Sequence, residues 1–257
     1  MLDKMIEIAK EAGKFLKENE GRISEINEKG SYSNLVTNVD KSSEAMIKGF
    51  IAKNFPSHGV LAEESGASSH VSEYRWIIDP LDGTTNYTHA YPVYCVSIGL
   101  EHKGEVIAGV VYDPNFDELF CAEKGNGSYL NDKRLKVTAT DNLERSLLAT
   151  GFPYDVRNNP FNCIQHFNEF LTAAQGIRRL GSAALDICYV AAGRLDGFWE
   201  VNLHPWDTAA AVLITTEAGG KVSDFIGGMY NIYQKNILLS NGLIHDQMMT
   251  VLKRNLK

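Results

Sequence analysis

A chain of 257 residues, 44% hydrophobic and 22% charged, is long enough for one large domain or two subdomains around a shared core, and its composition excludes a fibrous or wholly disordered chain. Area scaling predicts ~11,000 Å² of folded surface, so stability needs neither disulfides nor a structural metal. With 25 Lys+Arg against 32 Asp+Glu and a formal charge of -7, the chain has no bulk positive field with which to hold nucleic acid.

Leu2, Met5, Ile6, Ala9, Ala12 and Leu16 recur at steps of three and four and predict an amphipathic helix over residues 2–18. The acids and glycine interspersed there leave no apolar centre for a signal peptide. No stretch approaches the roughly 18 apolar residues of a membrane span. Cys95, Cys121, Cys163 and Cys188 show no CxxC spacing and sit among apolar neighbours, as buried thiols of a reducing compartment do, so a soluble cytoplasmic protein is expected.

A second helix is expected over 41–54, with Ala45, Met46, Phe50 and Ile51 inward and Asp40 at the capping position. Residues 76–79 read as a short strand ending in Asp79-Pro80. The period then changes: 91–100, 104–112 and 117–122 read as strands of an antiparallel meander, joined at Lys103-Gly104 and Asp113-Pro114-Asn115, and Gly125-Asn126-Gly127 turns into another short strand. From Ser146 the pattern alternates: strand 146–150, helices 161–175 and 182–192, strand 195–199, helix 209–218 stopped by Gly219-Gly220, strand 237–239 and helix 242–254. That change predicts two subdomains, 1–142 as an N-terminal α+β unit with the antiparallel sheet and 143–257 as a C-terminal α/β unit closing the site.

The densest chemistry lies in Glu63-Glu64-Ser65 and Asp79-Pro80-Leu81-Asp82-Gly83-Thr84-Thr85-Asn86. Adjacent strand residues face opposite ways, so Asp79 and Asp82 converge only if a turn lies between them. Pro80 fixes φ, and Gly83 allows a positive φ or a close backbone approach. A short helix beyond Asp82 would expose the N–H groups of Gly83, Thr84 and Thr85 to a phosphate oxygen. Asp-Pro and Asp-Gly are also ordinary turn formers, and Glu-Glu-Ser is ordinary surface sequence. A turn alone does not explain paired acids at one junction, where they repel and raise each other's pKa. A hard cation resolves that conflict, and an all-oxygen donor set favours Mg²⁺ or Mn²⁺ over zinc. Far downstream, Asp207 in His204-Pro205-Trp206-Asp207-Thr208 reads, taken alone, as the N-cap of the apolar helix that follows.

Together these segments resemble the inositol monophosphatase family. The octapeptide Asp79–Asn86 is similar to its metal-binding signature, and Trp206-Asp207 with Glu217-Ala218-Gly219-Gly220 to its second signature. Val36-Thr37-x-x-Asp40 and Glu63-Glu64 match its remaining acidic elements in order, so the resemblance covers nearly the whole chain. It implies an α+β fold, a layered α/β/α/β/α sandwich, and Mg²⁺-dependent hydrolysis of a small-molecule phosphate ester by metal-activated water. By resemblance, Glu63, Asp79 and the Leu81 carbonyl hold one ion. Asp79, Asp82 and Asp207 hold a second, and Glu63 with Glu64 serves a third through water. Mn²⁺ is the expected substitute. The Gly83 and Thr84 amides hold phosphate, and the Thr84 hydroxyl, paired with Asp40, orients the attacking water beside Glu63.

Gly181-Ser182-Ala183-Ala184 resembles the family's polyol-contacting segment, and Glu200 its acid that accepts substrate hydroxyls; the first also reads as a plain close-packed helix start. Lys29 falls where the family often carries a loop lysine. Arg178-Arg179 reads as a solvated pair, a phosphate contact or a dimer contact. His89, His166 and His204 lack zinc-ligand spacing, and Trp206 reads as core, the alternative being that it packs under the metal site. The expected activity is inositol monophosphate hydrolysis. Alternatives are fructose-1,6-bisphosphatase (alone or as a dual activity), histidinol-phosphate phosphatase, 3'-phosphoadenosine-5'-phosphate phosphatase, and a partner-binding regulatory protein of the same fold. The resemblance also implies lithium inhibition and a homodimer.

Overall fold

The computed structural model describes residues 1–31, 34–70 and 72–254, with the backbone alone for 29–31 and 34, so the Lys29 side chain lies outside what is described. Helix α1 (Leu2–Asn19) buries Met5, Ile8, Ala9, Ala12 and Leu16 along one stripe, as the three-four spacing requires. The antiparallel hairpin β1 (Ile26–Ser31) and β2 (Asn34–Thr37) leads into α2 (Asn38–Asn54). Thr37, not Asp40, caps α2. Its Oγ1 accepts from the Val39 and Asp40 amides, and Asp40, at the third helical position, accepts from the Thr37 amide at 2.9 Å.

Next come β3 (Gly59–Ala62), β4 (Gly66–Ala67), β5 (Tyr74–Asp82) and the short α3 (Thr84–Thr88). The expected meander is β6 (Cys95–His102), β7 (Glu105–Asp113) and β8 (Glu118–Glu123), followed by β9 (Ser128–Leu130) and β10 (Lys133–Arg134). These strands make one eight-stranded sheet in the order β10-β9-β8-β7-β6-β5-β3-β4. Its one parallel pair is β3 with β5.

The second sheet contains β11 (Leu147–Thr150), β12 (Gly176–Arg178), β13 (Gly197–Val201), β14 (Lys221–Ser223) and β15 (Asn236–Ser240), in the order β12-β11-β13-β15-β14. Here β11 runs parallel to both β12 and β13. Its helices are α4 (Cys163–Ala173), α5 (Ala183–Ala191), α6 (Pro205–Glu217) and α7 (His245–Lys253). Helices α1 and α2 cover the outer face of the large sheet, α5 and α6 fill the space between the sheets, and α4 and α7 cover the outer face of the small one. The layered α/β/α/β/α sandwich is therefore present, and its 11535 Å² of surface agrees with the scaling.

The alanine run of α6 has a packing reason. A Cβ on Gly109 would stand 2.8 Å from the Ala210 Cα, and one on Gly99 would stand 2.9 Å from the Ala209 Cβ. Glycine on two sheet strands and alanine on the helix together let backbone meet backbone. At its far end, Glu217 accepts the Gly125 and Gly127 amides at 2.7 and 2.8 Å. The Glu217-Ala218-Gly219-Gly220 signature thus braces a turn of the large sheet. The helix begins at Pro205 rather than at the expected Ala209, because proline suits the first helical position.

Candidate active site

Strands β3 and β5 run parallel in one sheet, β11 and β13 in the other, and residues at all four carboxyl ends line one cavity of about 630 Å³. Ligands settle at the carboxyl ends of parallel strands because loops and helix starts, rather than ladder partners, receive the backbone there. Glu63 leaves β3 there, its amide donating to the Ile78 carbonyl at 3.1 Å, which fixes it beside Asp79 on β5.

Asp79 and Asp82 converge through a bulge rather than the expected turn: Asp79 pairs with Ser97 and Asp82 with Cys95, so one residue of β5 is extra. The bulge is held from within and without. Asp79 Oδ1 accepts the Leu81 amide at 3.0 Å, and Ser43 Oγ on α2 donates to the Pro80 carbonyl at 3.0 Å. Immediately beyond it, Gly83 has a φ of 101°, and a Cβ there would stand 2.9 Å from the Val93 carbonyl. Only glycine takes this position without strain. The short α3 then begins with Gly83, Thr84 and Thr85 on the cavity wall.

Asp82 is tied across to the second half of the chain. Ser182 Oγ donates to its Oδ2 at 2.6 Å and the Ala184 amide at 2.8 Å, so the start of α5 faces a carboxylate, as a helix dipole favours. Asp207 is the third residue of α6 and not its N-cap; its Oδ2 accepts the amide of the capping His204 at 2.6 Å. Burial, then the charges of Glu63, Asp82 and Asp207, push the Asp79 carboxyl well above the usual range. Burial and Asp207 push Asp82 up, against the Ser182 and Ala184 hydrogen bonds.

Among the described residues no three such side chains form a closed ion cage. The donor chemistry nevertheless fits hard divalent cations: Glu63, Asp79, Asp82 and Asp207 offer carboxylate oxygens, and the neighbouring charges that push up the Asp79 and Asp82 carboxyls are what a cation would offset. Residues Glu63, Asp79, Asp82, Asp207 and the Leu81 carbonyl are the candidates to hold them.

Thr84 Oγ1 donates to Asp40 Oδ1 at 2.9 Å and lies 3.2 Å from the Leu81 carbonyl. A hydroxyl has one proton, and the nearer carboxylate is the stronger acceptor. Asp40 is fully buried, and its other oxygen takes both the amide and the hydroxyl of Thr37. The capping box of α2 thus aims Asp40 at Thr84. Burial raises the Asp40 carboxyl, with the Thr37 and Thr84 bonds opposing.

Gly181, Ser182, Ala183 and Glu200 line the same cavity. Glu64 is not on its wall; its amide donates to Glu44 Oε2 at 2.8 Å. Trp206 is not core either: it lines the cavity, half-buried, and stacks on the His204 ring at 4.8 Å. Arg178 is exposed, whereas Arg179 reaches the wall. The segment 151–155, Asn202 and Lys235 also line it, and nothing in their local sequence marks them. The available signal was topological, since 151–155 and Asn202 follow the carboxyl ends of β11 and β13.

The sequence model of the inositol monophosphatase family matches residues 1–256. The chain is 39% identical to the inositol-1-monophosphatase of Mesorhizobium japonicum over the whole of its length and 97% of that protein's. It is 41% identical to the Nus factor SuhB of Escherichia coli, with the same coverage. The solved inositol monophosphatase of Anabaena superposes with a TM-score of 0.88 at 42% identity, over 99% of this chain and 95% of that one. In fold, in the order of its acidic elements and in sequence from end to end, this chain belongs to the inositol monophosphatase family.

Proposed function

We propose that the chain is a Mg²⁺-dependent phosphatase that hydrolyses phosphate monoesters of small polyols, inositol monophosphate foremost, releasing inorganic phosphate and the free alcohol. The observation that carries this reading is the meeting, on one cavity, of Glu63, Asp79, Asp82 and Asp207 with Glu200 and with Thr84, which the buried Asp40 holds from behind. Divalent cations held by those carboxylates and the Leu81 carbonyl would supply positive charge against the ester oxygens and lower the pKa of water. Thr84, its own proton given to Asp40, turns a lone pair toward the cavity and accepts a hydrogen bond from the attacking water. That bond orients the water for in-line attack: its oxygen bonds to phosphorus as the ester P–O bond breaks, and the proton the water gives up balances the one the departing alcohol oxygen takes from solvent. The amides of Gly83 and Thr84 lie at the first turn of α3, where no intrahelical acceptor reaches them, and serve the phosphate oxygens.

Glu200, buried on the wall of the cavity, accepts hydroxyls of the alcohol. Fructose 1,6-bisphosphate, histidinol phosphate and 3'-phosphoadenosine 5'-phosphate share the phosphate end and differ only at this wall. A phosphate-release panel on purified protein with Mg²⁺ and these esters, inositol 1-phosphate included, tests the reading. Turnover fastest on inositol 1-phosphate supports it; no release from any ester refutes it. The relative named as a Nus factor favours a second, partner-binding role alongside catalysis. A pull-down in which Asp82→Asn retains every partner of the wild-type chain would separate the two roles.

A further inference from the structure

We infer that Asp186 is a further specificity-determining residue of this cavity, a carboxyl that binds substrate hydroxyls together with a Glu200 whose position is set by Gly151. The inference rests on the polyol-phosphate reading above and deepens it.

Asp186 lies in the first turn of α5, on the cavity wall, yet is only 1% exposed. Its Oδ1 has no hydrogen-bond partner among the described residues. A buried carboxyl oxygen left in that state is expensive, and most native groups of this kind are satisfied by protein or by what binds. Polyol hydroxyls are the donors that match it. A second phosphate does not match, because it would bring negative charge to a wall already acidic.

Glu200, at the end of β13, is 7% exposed and also lines the cavity. A Cβ on Gly151, just beyond the neighbouring β11, would collide with the Glu200 Cδ and both its carboxylate oxygens. Any larger residue at 151 therefore displaces the Glu200 head, which makes glycine there a positioning residue. The Asp186 charge raises the Glu200 carboxyl, which burial has already pushed up, and the Arg179 charge lowers both. Two buried carboxyls lining one cavity can each receive a hydroxyl of the same polyol, which a single acid cannot.

The test compares kcat/KM on inositol 1-phosphate with that on 4-nitrophenyl phosphate, an ester without hydroxyls. Asp186→Asn keeps the shape and weakens the charged acceptor, so a loss of about tenfold or more is expected on inositol 1-phosphate. The aryl ester should change by less than about twofold, and Gly151→Ala should show the same split. Equal losses on both esters, or no loss on either, would overturn the inference and leave Asp186 a structural residue of α5. A wild-type chain inactive on every ester would instead remove the functional reading. The subsite is then decided by calorimetric titration with inositol 1-phosphate and phenyl phosphate in Mg²⁺. Preferential binding of inositol 1-phosphate that Asp186→Asn abolishes upholds it; identical affinities of wild type and variant refute it.

Discussion

Substituting Thr84 separates the positioning of water from the holding of phosphate. Thr84 is 7% exposed, and its Oγ1 at 2.9 Å is the hydrogen-bond donor to Asp40 Oδ1, the other oxygen being occupied by Thr37. Thr84→Ala leaves a buried carboxylate oxygen short of one charged hydrogen bond, about 1.5–3 kcal/mol, and removes a methyl group worth about 0.8 kcal/mol. For a domain of this size a loss of about 3 kcal/mol lowers Tm by roughly 6–12 °C. The effect on rate should be separate: loss of the hydrogen-bond acceptor that positions the water lowers kcat about 10²-fold or more, near 2.7 kcal/mol of barrier. Thr84→Val, which keeps the volume and deletes the hydroxyl, should match the alanine variant in kcat while melting higher. Thr84→Ser, which keeps the hydroxyl, should stay within about tenfold of the wild type. Phosphate release at saturating inositol 1-phosphate with melting curves on the same preparations provides both readouts. A valine variant with wild-type kcat would show that Thr84 only braces Asp40 and the bulge.

Three further outcomes are expected. Chelation should abolish phosphate release and Mg²⁺ restore it, since Glu63, Asp79, Asp82 and Asp207 are hard oxygen donors; full activity in excess chelator would refute the assignment. Glu200→Gln should lose roughly 1–3 kcal/mol more in kcat/KM on inositol 1-phosphate than on an aryl phosphate, and equal losses would place Glu200 in support of the acids instead. His245, buried between Ser223 Oγ at 2.9 Å and Ser240 Oγ at 3.0 Å, has its pKa lowered to about 4 by burial and by Lys221. The unfolded chain takes up that proton first, so the contribution is complete above the ordinary value of 6.5 and is lost as pH falls toward 4, by up to about 3 kcal/mol. Urea denaturation of His245→Gln should therefore show a flatter decline of stability over that range than the wild type; identical slopes would contradict the linkage.

The acids were legible because their chemistry is local: Asp79-Pro80-Leu81-Asp82-Gly83 carries its own conflict of charge whatever surrounds it. The way they meet was not, because a bulge depends on the register against β6, and a turn gives the same short-range sequence. Helix ends shifted for a similar reason. Thr37 and His204 act as caps through the acids three residues later, so Asp40 and Asp207 look like caps when they are the reciprocal partners. Strands β3, β12 and β14 are too short to show alternation, yet β3 places Glu63. The size and apolarity of Trp206 suit core or a place under the metal site equally, and only the fold decides: it stacks on His204 on the cavity wall. The wall formed by 151–155, Asn202 and Lys235 has no motif at all; it exists only where strand ends of the two sheets meet.

The flush seating of α6 on Gly99 and Gly109 makes that helix a spacer bar between the layers. Carbon atoms settle at about 3.5–4.0 Å, so a methyl group added at Gly109, 2.8 Å from the Ala210 Cα, must lift the helix by about 1 Å. Glu217 anchors one end to the sheet, and the lift is delivered as a tilt at the other, one turn from Ala210, where Asp207 faces Asp82. A misplacement of that size at reacting groups is enough to cost orders of magnitude in rate. Inherited loss of activity in chains built this way can therefore map to a glycine in the middle of a sheet, touching no substrate and changing no charge.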